Sequence, residues 1–120
     1  YTPGPFVFIL KALASIEKKI NMKRIEIGVR IPENNIPISI VKELNCPIFS
    51  ITASKKMADK SYWDDKYAEE NLFEFAWELE DIKEIDMIID SGEALQKVLS
   101  TVIDLTQNEI IIIRQGIGIL

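Results

Sequence analysis

Arginine is the residue type in this sequence whose scarcity makes its placement informative. The 120 residues include eleven Lys but only three Arg, so lysine serves as the ordinary surface cation. Arg30 directly precedes Ile31-Pro32 at the end of an apolar run, and Arg114 follows the apolar run Ile110–Ile113. A guanidinium presents five donors in a planar fork, which suits a carboxylate or a phosphate. Two hypotheses stay open: both arginines meet at one edge of a sheet and bind an anion, or each pairs with a local acid.

Hydroxyl side chains recur at the ends of the same kind of apolar run. Ser50, Thr52 and Ser54 alternate, and alternate residues of a strand share one face. Ser100 and Thr101 open a later strand-like run. Hydroxyls beside arginine suit a phosphate or an amino-acid carboxylate, but they also serve as routine caps in turns.

The absence of histidine excludes several classes of chemistry. It removes histidine acid–base catalysis, Ser-His-Asp and Cys-His nucleophilic systems, and nearly every zinc or haem site. The single cysteine, Cys46, has no partner for an internal disulfide, and we expect it to be a small buried residue. Asp86, Asp90 and Asp104 show no spacing typical of a metal site. The sequence therefore predicts no metal site and assigns no catalytic side chain.

Charge is distributed unevenly along the chain. Residues 1–56 carry nine Lys and Arg against four Asp and Glu, whereas residues 57–120 carry five against fifteen. The overall pI near 4.8 argues against a general nucleic-acid binder but leaves room for a local basic face in the first half. No apolar run approaches the roughly 20 residues of a membrane helix, and no signal-peptide pattern is seen. We therefore expect a cytoplasmic protein, and a chain that begins with Tyr1 reads as a piece of a longer one.

Hydrophobic periodicity predicts an α/β architecture with a mixed sheet and no internal domain boundary. The last two predicted strands are joined by Thr106-Gln107-Asn108, which indicates a hairpin. We expect Asn35 to cap the second helix, and the isoleucines at 110–113 to lie inside the sheet. The predicted strands are 6–10, 25–31, 48–52, 86–90, 101–105 and 109–114. The predicted helices are 12–20, 36–44 and 65–82, with a long polar loop over 54–66.

An ordered set of short motifs extends over nearly the whole chain. They are PGPFVFIL at 3–10, IGVRIP at 27–32, PIFSITAS at 47–54, IDMIIDSG at 85–92, STVIDLT at 100–106 and IIRQGIG at 112–118. This order and spacing resembles the YrdC/YciO family, which includes the L-threonylcarbamoyladenylate synthases. The acidic stretch at 55–84 and the IGVRIP motif resemble the YciO-type branch.

The resemblance implies a fold and an activity. The fold is a YrdC-like open, mixed, twisted sheet with flanking helices, of which residues 1–120 are the C-terminal portion of a single domain. The family domain normally begins upstream of the PGP motif, so the resemblance implies that an N-terminal segment, or a partner protein, completes it. The activity is the ATP- and Mg²⁺-dependent conversion of L-threonine and bicarbonate to threonylcarbamoyl-AMP. This product is used to make the modified nucleoside N6-threonylcarbamoyladenosine in tRNA. Such a nucleotidyl transfer is catalysed mainly by positioning the substrates and stabilising the charge of the transition state, so it needs no histidine.

The resemblance also implies roles for individual residues. Arg30, Thr52 and Ser100 lie near the threonine, and Ser54 and Arg114 contact ATP. Two positions depart from the family pattern. The family's Ser-Ala-Asn is Thr52-Ala53-Ser54 here, and Val7 replaces a threonine.

These departures keep two alternatives open. One is a YciO-type nucleotide- or double-stranded-RNA-binding module without synthase activity. The other is an inactive piece that folds only with its missing segment or a partner chain.

Overall fold

The computed structural model describes residues 1–13, 25–56 and 67–120. The chain divides into two compact units. We call the first the sheet unit, Tyr1–Ile48 with Leu99–Leu120, and the second the acidic unit, Phe49–Val98. The expectation that the whole chain is part of a single YrdC-like domain stays a prediction.

A four-stranded mixed sheet forms the centre of the sheet unit. Its strands are β1 (Phe6–Lys11), β2 (Glu26–Val29), β3 (Thr101–Asp104) and β4 (Ile111–Arg114), in the spatial order β2-β1-β3-β4. β1 is antiparallel to β2 and parallel to β3, and β3 is antiparallel to β4. The predicted α/β class, the mixed sheet and the late hairpin are thus confirmed.

The buried residues of this sheet lie on its two central strands. Ile103 is 1% exposed and pairs with Phe8. Phe6 is buried, pairs with Thr101, and stacks its ring on that of Phe8 with centroids 5.9 Å apart. Alternate residues of β1 therefore face a common apolar layer, as strand periodicity requires.

The expected interior position of the isoleucine run is wrong for this sheet. Among the described strands β4 pairs only with β3, and Ile111, Ile112 and Ile113 are 45–58% exposed. Arg114 pairs with Val102 and Ile112 with Ile103, so Ile113 is an extra residue in the register. Apolar composition indicates that a strand prefers burial, but it does not specify how many neighbours the strand receives.

Among the described residues of the sheet unit there is one α-helix, α1 (Asn35–Leu44). Its N-cap is Asn34, one residue before the predicted Asn35, and the Asn34 side chain accepts a 2.9 Å hydrogen bond from the Ile36 N–H. Asn45 ends the helix in the left-handed conformation with φ of 52°. Cys46 follows and is exposed, which corrects the expectation that it is buried.

The acidic unit departs most from the predicted elements. In place of the predicted helix 65–82, its described part forms two short 3-10 turns, Glu69–Asn71 and Ala76–Leu79. The predicted strands 48–52 and 86–90 do not form. Ser54 instead makes an isolated bridge with Leu72, and the Lys55 N–H donates to the Asn71 carbonyl at 2.8 Å.

Side-chain chemistry explains why the long helix fails. The Glu78 carboxylate accepts hydrogen bonds from the N–H groups of Glu74 (2.7 Å) and Phe75 (3.2 Å), which breaks the helical hydrogen-bond series. The consecutive residues Asn71, Leu72 and Phe73 are all buried, which an amphipathic helix does not allow.

The predicted helix 12–20 and much of the predicted loop 54–66 lie outside the described residues. Within those that are described, no helix is long and apolar enough to cross a membrane.

Candidate functional site at one edge of the sheet

The strand directions bring several predicted site residues to the same edge of the sheet. β2 and β4 end at the edge where β1 and β3 begin, because each outer strand is antiparallel to its inner neighbour. We call this the arginine edge and define it by Gly4, Arg30, Ser100 and Arg114. Arg30 follows β2 and Arg114 ends β4 at this edge, whereas the parallel strands β1 and β3 begin there.

Arg30 and Arg114 are level with one another in one row across the sheet. Arg30 follows Val29, the partner of Phe8, so it lies opposite Val7. Val7 pairs with Val102, and Val102 pairs with Arg114. At a strand spacing of about 4.8 Å, three steps separate the two backbone positions by roughly 14 Å. Two long guanidinium side chains at that separation can hold two ends of one extended anionic ligand.

Arg114 uses its guanidinium on the backbone of the neighbouring strand. Its Nε and Nη2 donate to the Ser100 carbonyl oxygen at 3.2 and 2.9 Å. The fork fixes the residue that leads into β3, so Arg114 positions Ser100 from across the hairpin.

Ser100 and Thr101 have different surroundings although both are buried. The Thr101 hydroxyl donates to the Gly118 carbonyl at 2.7 Å and accepts from the Gly116 N–H at 3.0 Å. The Ser100 hydroxyl makes no hydrogen bond within the described chain. Adjacent residues of a strand face opposite sides, so the Thr101 hydroxyl bonds to the C-terminal segment while the Ser100 hydroxyl lies on the other face. Thr101 was one of the hydroxyls that the sequence offered as a ligand contact or a routine cap, and its hydroxyl serves the backbone of the C-terminal segment.

Arg30 is the exposed cation of the arginine edge. It makes no hydrogen bond or ion pair within residues 1–13, 25–56 and 67–120. Val29 and Ile31 both line an apolar groove on one face, so Arg30 between them points to the other face. Its five donors are therefore available to an anion.

The Pro3-Gly4-Pro5 segment ties the arginine edge together. The Gly4 N–H donates to the Ile31 carbonyl at 2.9 Å, just after β2. The Pro5 carbonyl accepts from the Thr101 N–H at 2.9 Å, at the start of β3. A Cβ at Gly4 would lie 2.8 Å from the Tyr1 carbonyl oxygen, so glycine is required for this close approach.

Thr52 and Ser54 belong to the acidic unit, so the structure does not group them with the arginine edge. Thr52 is half-buried and lies outside any strand. Ser54 is fully buried, and its Oγ accepts a 3.2 Å hydrogen bond from the Lys56 N–H. Of the five predicted site residues, the structure thus brings Arg30, Ser100 and Arg114 together at one edge.

The hydrogen bonds that a carboxylate of the sheet unit makes stabilise the fold, as Asp104 shows. The Thr106 N–H and hydroxyl lower the pKa of Asp104, which accepts the N–H at 2.8 Å and begins the hairpin turn. No group of three or more His, Cys, Asp or Glu among the described residues is arranged to hold a metal ion.

The opposite face of the sheet carries an open apolar groove with a volume of about 350 Å³. Its lining residues are Thr2, Phe8, Leu10, Val29, Ile31 and Leu105. No charged side chain lines it, so it offers nothing to an anion, and the arginine edge is the better candidate site.

Comparisons with known proteins agree with the motifs and the sheet. The Sua5/YciO/YrdC family model, described as "Telomere recombination", matches residues 1–116. The chain is 32% identical to the uncharacterized protein YciO of Escherichia coli K12 over 118 residues, covering 98% of this chain and 52% of the relative. An uncharacterized protein of Haemophilus influenzae is 30% identical, with 98% and 53% covered. The crystal structure of E. coli YciO superposes with a TM-score of 0.72 at 30% identity, over 98% of this chain and 52% of that one.

The chain belongs to the Sua5/YciO/YrdC family. The recognised family and fold class are therefore confirmed. The chain spans about half the length of the curated relatives it matches. Those relatives are uncharacterized by name, so the roles of single residues and the reaction itself stay predictions.

Proposed function

We propose that the arginine edge is part of a nucleotide site for ATP-dependent threonylcarbamoyl-AMP synthesis from L-threonine and bicarbonate. The observation that carries the proposal is the placement of Arg30, Ser100 and Arg114 at one edge of the sheet. The family resemblance implies a ligand contact for each of these three residues. Family membership supports the proposal because the family includes enzymes of this kind.

The proposed reaction joins a carboxylate to a nucleotide. The amino group of L-threonine attacks the carbon of bicarbonate and water leaves, which gives an N-carboxylated threonine. Its new carboxylate attacks the α-phosphorus of ATP. The bond between the α-phosphorus and the bridging oxygen breaks, and pyrophosphate leaves with Mg²⁺. The product, threonylcarbamoyl-AMP, would supply N6-threonylcarbamoyladenosine in tRNA.

Each side chain of the arginine edge has a distinct proposed role in ligand binding. Arg30 binds a carboxylate or phosphate oxygen with its exposed guanidinium. The Ser100 hydroxyl donates to the same ligand. Arg114 was predicted to contact ATP, and its two bonds to the Ser100 carbonyl support an additional positioning part. Thr52 and Ser54 keep their predicted parts, near the threonine and the ATP, as proposals.

Calorimetric titration of ATP with Mg²⁺ into this chain, with and without L-threonine, tests the proposal. We expect binding that tightens when threonine is present. Arg30→Ala should weaken it about tenfold or more, because a charge-assisted hydrogen bond is lost. Lys11→Ala is the matched control, since Lys11 is an exposed cation at the opposite end of β1. Equal loss in both variants would mean that only net charge matters and would contradict the proposal.

A non-synthase nucleotide- or RNA-binding module is the second candidate, and the burial of Ser54 favours it. A buried hydroxyl bonded to the Lys56 N–H offers little to ATP where the family pattern has Asn. Nucleotide binding that ignores threonine supports this candidate. Double-stranded RNA binding that falls steeply with added salt does the same, because such binding depends on phosphate contacts.

A further inference from the structure

The acidic unit presents an exposed pair of stacked aromatic rings. Phe75 and Trp77 lie nearly parallel, with centroids 6.2 Å and planes 15° apart. Trp77 is 63% exposed and Phe75 40% exposed. We call this pair the aromatic platform. Two large rings stacked on each other in solvent, one face of the indole left open, are an unusual surface for a single chain.

Carboxylates surround the aromatic platform in the sequence. Between Glu69 and Glu84 there are seven Asp and Glu and one Lys. The Glu80 N–H donates to the Trp77 carbonyl at 3.1 Å, which closes a 3-10 turn. Residues three apart in a 3-10 turn lie on one face, so Trp77 and Glu80 share a face of this turn.

The carboxylates divide into those engaged by the fold and those left to solvent. Glu78 pairs with Lys55 at 3.1 Å, and Glu74 pairs with Lys97 at 3.1 Å. Glu80 and Asp81 are exposed and form no ion pair within the described chain. The open charge beside the platform is therefore negative.

We propose that the aromatic platform binds an arginine side chain from a basic peptide segment of a partner protein. An indole face attracts a cation, and the planar guanidinium stacks on it better than an ammonium does. Glu80 supplies an opposite charge next to the same ring. A nucleic acid would meet the surrounding carboxylates with its own phosphates, so charge complementarity selects the cationic partner.

Calorimetric titration of a nonaarginine peptide into the 120-residue chain tests this proposal. We expect saturable binding that is several-fold tighter than that of nonalysine, which carries the same charge. Trp77→Ala should weaken it about tenfold, and Trp77→Phe by a smaller factor, because phenylalanine is the poorer partner for a cation. Glu80→Gln should weaken it about threefold.

Two matched controls separate the platform from general charge and general exposure. Phe49→Ala truncates another aromatic of the acidic unit, 75% exposed and without neighbouring acids in sequence. Glu93→Gln removes the same charge as Glu80→Gln from an exposed position remote in sequence. Both should bind nonaarginine as the unmodified chain does.

Three outcomes would overturn the proposal. Equal affinity for nonaarginine and nonalysine, unchanged by Trp77→Phe and Glu80→Gln, would mean diffuse charge attraction. Binding of a single-stranded RNA that Trp77→Ala abolishes would make the platform a base-stacking surface. Self-association without peptide that Trp77→Ala abolishes would make a second copy the occupant.

Discussion

The sheet unit and the acidic unit hold their chains together in different ways. In the sheet unit backbone hydrogen bonds join four strands, and Phe6 and Ile103 on the two central strands are buried. In the acidic unit the described residues form only short turns and one isolated bridge. There the N–H groups of Glu74 and Phe75 donate their hydrogen bonds to the Glu78 carboxylate instead of to backbone carbonyls.

The two units also differ in charge. The sheet unit has eight Lys and Arg against six Asp and Glu, and the acidic unit has six against thirteen. All three arginines lie in the sheet unit. The range of the chain with a net positive charge thus carries the regular sheet, and the range with a net negative charge carries short turns.

The largest expected effect is the loss of a buried aliphatic side chain from the sheet unit. Ile103→Ala should lower the free energy of unfolding by about 2–5 kcal/mol, because it leaves a cavity in the apolar layer. Ile113→Ala, on the neighbouring exposed strand, is the matched control and should cost less than about 0.5 kcal/mol. Urea unfolding measures both. Similar losses would mean that β4 is as buried as β3 and would break the described contrast.

The next effect comes from the hydroxyl that ties β3 to the C-terminal segment. Thr101→Val keeps the shape of the side chain but leaves the Gly116 N–H without its partner and removes one of the two donors to the Gly118 carbonyl, which also accepts from the Gln115 side chain. We expect a loss of about 1–3 kcal/mol in urea unfolding. Thr52→Val, at a half-buried position in the acidic unit, should cost less. The opposite order would show that Thr101 is dispensable to the sheet unit.

A pH-dependent effect should distinguish the acidic unit. Hydrogen bonds from the N–H groups of Glu74 and Phe75, with help from Lys55, lower the pKa of Glu78 to about 2. A carboxyl group with a lowered pKa stabilises the fold fully above its unfolded-state pKa, roughly 4.3, and loses that contribution as the pH falls toward 2. Glu78→Gln should therefore flatten the decline of stability between these pH values.

Amide hydrogen exchange over residues 71–79, measured from pH 2 to 6, follows this prediction locally. The Glu93→Gln chain serves as the control and should retain the decline of the unmodified chain. If Glu78→Gln declined as steeply as the unmodified chain, the carboxylate would not be the group that caps this turn.

The smallest effect on stability is expected at the exposed edge of the sheet. Ile113→Lys should change the free energy of unfolding by about 0.5 kcal/mol or less, since Ile113 is exposed and unpaired in the register. It should nevertheless reduce self-association, because a lysine on an edge strand disfavours pairing with another chain. Sedimentation at increasing concentration measures the change. An unchanged sedimentation coefficient in a self-associating chain would place the contact elsewhere.

Local patterns in the sequence were sufficient for the sheet unit. Short apolar runs predicted β1 and the β3–β4 hairpin, apolar alternation predicted β2, and the helical spacing of apolar residues over 36–44 predicted α1. The two arginines at strand ends indicated the arginine edge. The local signal was strong there because strand pairing and helix formation in this unit agree with the preferences of their residues.

The same kind of pattern failed in the acidic unit. Apolar residues at helical spacing over 65–82 predicted a helix, yet the chain buries the consecutive residues Asn71, Leu72 and Phe73 where a 3-10 turn ends and extended backbone begins. The hydrogen bond from the Glu74 N–H to the Glu78 carboxylate competes with helix formation. It outweighed a helical propensity that is weak per residue.

The sequence by itself determined the family, the mixed sheet and which residue types can meet an anion, because these follow from composition, order and short-range spacing. Tertiary structure alone decided that Arg30 and Arg114 lie in one row of the sheet. It also decided that the Arg114 guanidinium donates to the Ser100 carbonyl, and that the exposed rings of Phe75 and Trp77 stack. Those facts depend on strand direction, register and competition between hydrogen-bond partners distant in sequence. No local preference specifies such contacts, since each is settled only when the whole set of partners is in place.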